Sequence, residues 1–236
     1  MELFSQLELN EYQRRTLAIL EKSESILLKY GYSKSTIDEI AYAAKLGKGT
    51  IYLHWRSKDD LFQALFYKIS AEIVNQLLLS VQTDISILQF DKFISTIYRI
   101  CHEKELIVAL FTRDNKLLGR FLDYRGSSES QMMKLNSLKN SLHMYRQNKL
   151  IKDNLSIEAQ AHAINMLLIA IFTYDNYITE EMSIDQKVEI LENIVRSTFV
   201  PETPREIEAS LYEFVILSIK ELLNFYMQQV LFTKVK

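Results

Sequence analysis

Apolar residues recur at the three-to-four-residue spacing of one helix face in segments that follow recognisable cap residues. This spacing predicts helices over residues 11–30, 37–44, 48–53, 58–81, 90–104, 105–122, 128–148, 157–178, 184–199 and 204–232. Only five glycines and two prolines occur in 236 residues, so little interrupts these segments. The pattern therefore predicts an all-α protein.

Cap residues support the predicted helix starts. Four segments place a hydroxyl three residues before a Glu or Gln side chain that can bond back to the N-cap amide: Thr36 to Glu39, Ser128 to Gln131, Ser183 to Gln186 and Thr203 to Glu206. Ser57 to Asp60 is a version with a shorter acidic side chain. Gly31 follows the first long helix, and we expect it to end that helix in the left-handed conformation.

Composition and charge narrow the class of protein. A chain of 236 residues with 48% hydrophobic residues can bury a sizeable core. The net charge of -2 argues against a protein that coats nucleic acid with its whole surface. Residues 29–58 nevertheless contain six basic and two acidic side chains, although Asp59 and Asp60 follow at once. The charge distribution therefore permits a local nucleic-acid site.

Cysteine and histidine usage gives no sign of catalytic or metal chemistry. Cys101 is the single cysteine and cannot form an intramolecular disulfide, which fits a reducing cytoplasm. No Cys/His cluster has metal-ligand spacing, and no nucleophile–base pair or phosphate loop is visible, so neither an enzyme nor a cofactor is expected. The N-terminus lacks signal architecture and no apolar run approaches about 18 residues, so we expect a cytoplasmic protein without stable membrane insertion.

Residues 37–53 read as a short helix, a three-residue turn and a second short helix. Apolar positions that would pack the two together are Ile40, Ala41, Ala44, Leu46 and Ile51. The positions left exposed on the second helix are Lys48, Gly49, Thr50, Tyr52 and His54. A cation, a closely approachable backbone, a hydroxyl, a phenol and an imidazole suit a helix whose N-terminus enters the DNA major groove.

Simpler roles remain open for some of these side chains. Tyr52 and Trp55 can be core aromatics, and Trp55 is expected to anchor the motif to the first helix. Lys48 and Lys58 can be solvated surface charges.

The segment 19–65 resembles the TetR family of one-component bacterial transcriptional regulators. The matching positions are Gly31-Tyr32, Thr36-Ile37, Ile40-Ala41, Gly49-Thr50-Ile51-Tyr52, Ser57-Lys58 and a following leucine, all at the family's offsets. The resemblance implies an N-terminal three-helix helix-turn-helix DNA-binding domain over residues 1–57. A larger helical ligand-binding and dimerisation domain over residues 58–236 would follow, with an extra C-terminal helix at about 204–232.

The resemblance also implies roles for individual residues in DNA binding. Lys48, Gly49 and Tyr52 would lie at the base edges or the adjacent backbone. The positions implied at phosphates are Thr36, Thr50, His54 and Lys58, with Lys34 as an addition. The family usually has glycine where this chain has Lys45, at a cost of about 1 kcal/mol in left-handed geometry, and serine where it has Gly47. We therefore expect the turn to be shifted by two residues and not lost.

The resemblance also implies a dimer interface and an effector pocket in the helices after the DNA-binding segment. Helices 157–178 and 184–199 would form a four-helix homodimer interface, with Ile184, Leu191, Val195 and Phe199 on the apolar face of the second. A pocket for a small, largely apolar effector would be lined from Tyr98, Phe111, Met132, Met133, Met144, Met166 and Phe172. Methionines at helical spacing can equally be core filler.

These observations predict a ligand-responsive regulator, a repressor that an effector releases from double-stranded, palindromic operator DNA. The alternative is a TetR-like helical dimer that acts as a structural or partner-binding protein through its C-terminal helix. That helix, residues 204–232, could pack over the ligand domain, extend the dimer interface or lie on a membrane surface.

Overall fold

The computed structural model describes residues 2–5, 7–123, 128–177, 182–203 and 206–232, and its side-chain description leaves out Glu2 and residues 128–135. The helices are α1 Glu2–Ser5, α2 Glu11–Lys34, α3 Ile37–Ala43, α4 Lys48–Tyr52, α5 Lys58–Thr83, α6 Phe90–His102, α7 Glu105–Phe111, α8 Asn115–Leu118, α9 Ser128–Gln147, α10 Ile157–Thr173, α11 Ile184–Phe199 and α12 Ala209–Leu231. Three 3₁₀ turns occupy Ile85–Leu88, Gly119–Asp123 and Tyr174–Asn176. The all-α prediction is confirmed, because no strand occurs in the described residues.

Side-chain caps fix several of the predicted helix starts. Thr36 and Glu39 form a reciprocal capping box at α3, and Ser183 and Gln186 form another at α11. The Ser57 hydroxyl accepts a bond of 3.1 Å from the Asp60 N–H at the start of α5. A further box, Asn10 with Gln13, begins α2 and was not predicted. The cap expected at Ser128 lies outside the described side chains.

Two predicted helices differ from the structure. The segment 105–122 is broken after Phe111, where Arg113 takes a φ of 52° and Asp114 caps α8 by accepting from two backbone amides. The last helix begins at Ala209 and not at Pro204, and Glu206–Glu208 are not helical; Pro204 itself lies outside the described residues. Helices in proteins are stabilised mainly by packing of an apolar face, and the buried residues of α12 begin only at Leu211.

Gly31 shapes the end of α2. Its backbone has φ 73° and ψ 165°, so the helix kinks there and one further turn runs to Lys34. The positive φ is as predicted, but the ψ is extended and not left-handed helical. A Cβ at this position would lie 2.6 Å from the Lys116 carbonyl oxygen of α8, so the site needs glycine for both conformation and space.

Contacts divide the chain into two compact units. The first contains the described residues within 1–75, 113–126 and 221–236, and the second those within 76–112 and 127–220. The first unit holds the helix-turn-helix segment together with most of α5, α8 and the last part of α12. The predicted domains 1–57 and 58–236 stay a prediction.

The first unit has a continuous apolar and aromatic core. Its fully buried side chains include Ile19, Leu20, Leu27, Ile40, Ile51, Leu61, Phe62 and Leu65. The Tyr32 ring packs against Phe62 and Phe121 with centroid separations of 5.5 and 5.7 Å. Burial of several such side chains, each contributing about 1.5–3 kcal/mol, holds the short α3 and α4 against α2 and α5.

In the second unit, α11 packs along α6. Leu191, Val195 and Phe199 of α11 are buried, and the Phe199 ring lies 6.0 Å from that of Phe90. Polar contacts follow the same helix pair, from Arg99 to Asp185 at 2.7 Å and from Ser95 to Glu192 at 2.7 Å. These two helices therefore form a tightly joined pair within one chain.

Two helices are long and apolar enough to cross a membrane, judged by length and composition alone. They are Lys58–Thr83 and the segment Ile157–Asn176, and 44% and 28% of their apolar windows are buried within the chain. The expectation that no apolar stretch approaches a membrane span was therefore too strong. The same test is passed by core helices, so the absence of stable membrane insertion stays a prediction.

Candidate nucleic-acid interface

The turn between α3 and α4 is kept at Lys45. Lys45 has a φ of 56°, and its N–H donates to the Tyr42 carbonyl at 3.0 Å. The Leu46 N–H donates to the Ala41 carbonyl at 2.9 Å, which completes a Schellman motif with Lys45 at the C′ position. The expectation of a turn shifted by two residues is therefore wrong, and the lysine adopts the left-handed geometry that glycine usually supplies.

Packing of α3 against α4 orients the second helix. Ile40 and Ala41 of α3 and Ile51 of α4 are buried, as the sequence predicted. Lys48 and Gly49 are exposed, Thr50 is half-buried, and Tyr52 is 43% exposed. The interpretation of Tyr52 as a core aromatic is therefore not supported, whereas Trp55 is buried as expected.

The main chain at the start of α4 is open to approach. A Cβ built on Gly47 or Gly49 would meet no atom within 4 Å. Gly47 supplies no side-chain cap, so no capping group covers the first turn of the helix. A flat surface such as the wall of a DNA groove can therefore come close to this backbone without displacing a neighbour.

The Lys48 ammonium is paired with a residue that the sequence analysis did not single out. Its Nζ donates to Oδ2 of Asp38 at 2.8 Å, and 51% of the Lys48 side chain and 67% of the Asp38 side chain remain exposed. The hydrogen bond to Asp38, followed by its charge, raises the pKa of Lys48. Asp38 lies ten residues away in sequence, so spacing within one helix could not reveal the pair.

Exposed aromatic and apolar side chains flank α4 and were also missed. Tyr42 on α3 is 87% exposed and Leu53 is 67% exposed. Tyr42 lies one turn after Asp38 and borders a groove of about 440 Å³ whose lining residues are Ile26, Tyr30, Asp38, Glu39, Tyr42 and Ala43. Sequence periodicity gave no signal here, because a seven-residue helix is too short to separate its faces by pattern.

His54 does not lie on the predicted surface. The side chain is 3% exposed, stacks on Tyr12 with a centroid separation of 4.1 Å, and has Nδ1 2.9 Å from the Thr16 hydroxyl. Burial, with a smaller effect of the Arg15 charge, lowers the pKa of His54 to about 4. The expected phosphate contact is therefore corrected, because a neutral imidazole buried against Tyr12 and Thr16 is not at the surface.

The Lys58 ammonium also faces inward. Its Nζ donates to the carbonyl oxygens of Tyr32 and Ser35 at 2.7 and 2.9 Å, and it lies 3.9 Å from the centre of the Tyr32 ring. Burial, followed by the charge of Arg120, lowers the pKa of Lys58. The predicted phosphate contact is corrected here as well, because two of the three N–H donors hold the end of α2 against α5.

Thr36 and Lys34 remain exposed near the same surface. The Thr36 hydroxyl donates to the Glu39 carboxylate at 2.9 Å and accepts from the Glu39 N–H at 3.2 Å. Its proton is therefore engaged beside a negative charge, and the phosphate contact expected of Thr36 stays a prediction. The contacts expected of Lys34 and Thr50 also stay predictions.

A buried ion cluster fixes α2 against α5. The Lys68 ammonium of α5 donates to Glu72 at 2.8 Å and to Glu24 of α2 at 3.3 Å, and only 6% of its side chain is exposed. Burial lowers the pKa of Lys68, but the two carboxylates outweigh it and the pKa is raised overall. Because α3 packs on α2 and α4 packs on α3, this cluster helps to set the position of α4.

Residues predicted for the effector pocket separate into three groups. Tyr98, Phe111 and Phe172 pack together, with ring separations of 4.9 Å for Tyr98 to Phe172 and 4.4 Å for Phe111 to Phe172. Met166 is 59% exposed, so its place in the pocket is corrected, and Met144 is half-buried. The side chains of Met132 and Met133 lie outside the described residues.

The buried Tyr98 hydroxyl has no hydrogen-bond partner among the described residues. Burial, with a smaller effect of the Asp175 charge, raises the pKa of Tyr98 to about 12, so the group is a proton donor at neutral pH. A buried donor without a partner costs about 1–3 kcal/mol, which marks this hydroxyl as a group that a ligand could satisfy.

A separate cleft of about 540 Å³ opens in the second unit where α6 begins and α11 ends. Its lining residues are Gln89, Phe90, Asp91, Leu150, Lys152, Arg196, Ser197, Val200, Pro201 and Glu202. Arg196 donates to the buried Asp91 carboxylate at 2.6 Å, and the Lys152 ammonium donates to the Ser197 carbonyl at 2.7 Å. None of the five predicted pocket residues whose side chains the structure describes lines this cleft.

The residues predicted for the dimer interface are mostly buried within the chain. Leu191, Val195 and Phe199 are each at most 1% exposed because they pack in the core of the second unit, and Ile184 is half-buried. These three assignments are corrected. The exposed apolar residues of α11 are Ile190 and Ile194, at 40% each, and those of α10 are Met166 and Ile169.

The C-terminal helix packs within the chain. Tyr226 and Val230 are buried, and the Tyr67 ring of α5 lies 6.0 Å from Tyr226 and 6.3 Å from Phe225. Leu211, Val215 and Ile219 are also buried. The apolar stripe of α12 is therefore already covered by its own chain.

Residues 19–65 match the family described as bacterial regulatory proteins, tetR family. Over 59 residues, a quarter of this chain, the sequence is 36% identical to the uncharacterized HTH-type transcriptional regulator YhgD of Bacillus subtilis. Over 48 residues, 20% of this chain, it is 42% identical to the HTH-type transcriptional repressor BepR of Brucella suis. The matched segments span only 31% and 23% of the lengths of these relatives.

The fold is similar to solved structures over most of the chain. A transcriptional regulator FadR from Bacillus subtilis, solved in complex with stearoyl-CoA, superposes with a TM-score of 0.56 at 17% sequence identity. The superposition covers 76% of this chain and 96% of that one. At this sequence identity the structural similarity shows the fold alone. The similarity in sequence to the tetR family is confined to residues 19–65.

Proposed function

We propose that this chain, whose residues 19–65 match the tetR family of bacterial regulatory proteins, is a member of that family and a sequence-specific DNA-binding regulator of transcription. The observation that carries the proposal is the open surface of α4. Lys48, Gly49 and Tyr52 are exposed together on a short helix, and a Cβ at Gly49 would meet no described atom within 4 Å. A cation, a bare backbone and a phenol at the start of a helix are suited to base edges and the adjacent phosphates.

Lys48 and Tyr52 take the central part in this proposal. Lys48 reaches base edges in the major groove, and Tyr52, one turn later, contacts the neighbouring base or its backbone. Exposed cations near the surface, Lys34 and Lys45 among them, add sequence-independent attraction to the phosphates. His54 and Lys58 hold the unit together from inside and are left out of the DNA contact.

The proposed regulator is a homodimer that joins through α10 and α11. Met166 and Ile169 on α10, and Ile190 and Ile194 on α11, form exposed apolar pairs at the spacing of one helix face. Exposed apolar faces of this kind mark protein interfaces. Two copies of α4 then address two half-sites, which is how helix-turn-helix dimers reach operator specificity.

We further propose that a small, largely apolar effector releases this regulator from its operator, so that it acts as a repressor. The cluster of Tyr98, Phe111 and Phe172 supports an apolar site with one hydrogen-bonding group, because the Tyr98 hydroxyl lacks a partner in the described residues. An effector that accepts from this hydroxyl would satisfy a buried donor and so favour the bound state.

The second candidate, a partner-binding protein that docks through its C-terminal helix, loses its main support. The apolar stripe of α12 is buried within the protein, and the large apolar side chains left exposed among those described are Leu217 on the helix and Phe232 just after it. Single exposed apolar side chains are ordinary on protein surfaces.

The proposed function is tested by selecting bound DNA from a random pool with the full chain. The parent protein should recover an inverted repeat, and Lys48→Ala and Tyr52→Ala should lose it. Lys22→Ala is the matched control, because it removes an exposed cation of α2 away from α4. If the parent recovers no common sequence, or if both α4 variants recover the same repeat as the parent, the proposal is wrong.

Dimer formation is tested by sedimentation. Ile190→Glu combined with Ile194→Glu should give a monomer with parent-like helix content, and Asn193→Glu, on an exposed position of the same helix, should remain dimeric. A dimeric double variant would place the interface elsewhere.

A further inference from the structure

We propose that Asp38 is a specificity-determining residue of this DNA-binding surface, which acts by orienting the Lys48 ammonium toward guanine. The inference rests on the proposed function, since it concerns how α4 reads a base. It starts from the contact between Nζ of Lys48 and Oδ2 of Asp38 at 2.8 Å, which links the first turn of α3 to the first residue of α4.

The backbone holds both ends of this pair in fixed places. Thr36 and Glu39 close a capping box around Asp38, so its Cα position at the start of α3 is well defined. Lys48 begins α4, whose orientation is set by the buried Ile40, Ala41 and Ile51 and by the Lys45 turn. The flexible part is therefore the lysine side chain alone, and the Asp38 carboxylate limits where its ammonium can lie.

The donors of the ammonium match the acceptors of guanine. A lysine has three N–H donors. One is directed to Asp38, which leaves two, and guanine presents two acceptors, N7 and O6, in the major groove. An unpaired lysine can contact any nearby phosphate as a point charge, whereas an anchored one has a restricted set of directions. Pairing with Asp38 therefore lowers the affinity of Lys48 for phosphates in general and raises its selectivity for one base.

The position of Asp38 also opposes contact without sequence selection. Its exposed carboxylate lies beside the surface that would meet DNA phosphates, and the two negative charges would repel each other. A carboxylate can accept from the cytosine amino group, so a suitable base pair next to the guanine would relieve this repulsion. The same residue therefore weakens binding to arbitrary DNA and permits binding to the right site.

Folding does not depend on this contact. Both side chains are more than half exposed, and α3 keeps its capping box when Asp38 is replaced. Asp38→Ala and Asp38→Asn should therefore fold, and circular dichroism with a thermal melt checks this. Glu21→Ala is the matched control, because it removes one negative charge from an exposed position of α2 that makes no contact with Lys48.

The experiment measures binding of the full-length parent and variants to the selected inverted repeat, to repeats with each base pair replaced in turn, and to unrelated duplex DNA. For Asp38→Ala we expect tighter binding to unrelated DNA and a roughly tenfold smaller discrimination at one G·C pair of each half-site, the loss of one oriented base contact. Asp38→Asn, which keeps an acceptor oxygen without the charge, should retain part of that discrimination. Glu21→Ala should discriminate like the parent.

Two results would overturn the inference while leaving the proposed function intact. One is a parent that selects an operator and an Asp38→Ala variant with the same preference at every position and the same ratio of operator to unrelated DNA. The other is a uniform loss of affinity on all DNA, which would assign Asp38 to stability of the surface. A parent without any selected operator would instead refute the proposed function itself.

Discussion

Replacing Gly49 with alanine separates the stability of the helix-turn-helix from its contact with DNA. Gly49 lies in the first turn of α4, has an ordinary helical backbone, and a Cβ there would meet no atom within 4 Å. Alanine is favoured over glycine in helices by up to about 1 kcal/mol, and less near the end of a short helix. We therefore expect Gly49→Ala to raise the free energy of unfolding by about 0.5 kcal/mol.

The effect on DNA binding should have the opposite sign. The added methyl group projects into the space through which a groove wall must approach the backbone. If it lengthens one hydrogen bond to a phosphate, the loss is about 1.5–3 kcal/mol, or roughly 10- to 100-fold in affinity. A variant that is more stable and binds more weakly cannot be explained by partial unfolding.

The assay pairs urea unfolding, followed by circular dichroism, with fluorescence anisotropy on labelled operator at two salt concentrations. Lys22→Ala, at an exposed position of α2, is the control and should keep parent-like affinity. Parent affinity in Gly49→Ala, with an unchanged salt dependence, would refute close approach of this backbone to DNA.

Three further predictions concern buried groups. The pKa of His54 is lowered to about 4 against about 6.5 in the unfolded chain, so the unfolded chain binds the proton first and stability falls as pH drops from 6.5 toward 4. At pH 5 this loss is up to about 2 kcal/mol. The urea midpoint of His54→Gln should therefore differ less between pH 7.5 and pH 5 than the midpoint of the parent does. An equal difference in the two proteins would contradict the assignment. Tyr98→Phe should have a melting temperature at or above that of the parent, yet bind effector more weakly in a displacement assay. The control is Tyr145→Phe, which removes another buried hydroxyl without a described partner and should keep effector binding. Lys68→Met should destabilise the chain by about 3 kcal/mol in urea, because it removes the ammonium that pairs with the buried Glu72 carboxylate, and adding Glu72→Leu should restore part of the loss.

The local parts of the fold could be predicted from the sequence because their causes are local. The capping boxes at Thr36 and Ser183 and the buried positions Ile40, Ala41 and Ile51 follow from a hydroxyl three residues before an acceptor and from helical spacing. Where the local signal competed with packing it failed: residues 206–208 follow a predicted cap but are not helical, and the buried residues of α12 begin only at Leu211.

The residues of the candidate site likewise fall into those that local sequence predicted and those that distant contacts decided. Lys48, Gly49 and Tyr52 were identified correctly as exposed, because their offsets belong to a short motif. His54 and the Lys58 ammonium were placed on the surface by the same offsets, yet each is held inside by residues far away in the chain. Their burial depends on where α2 lies against the end of α4 and the start of α5.

By itself, the sequence determined that this chain is helical, where most of its helices begin, and that one short helix resembles a DNA-reading element. Only the tertiary structure decided which faces of those helices are covered: that Leu191 and Val195 face α6, that Ile190 and Ile194 remain exposed, and that Asp38 meets Lys48. Helical periodicity defines an apolar stripe but not its partner, because pairing depends on contacts between residues distant in sequence, and those form only when the whole chain has packed.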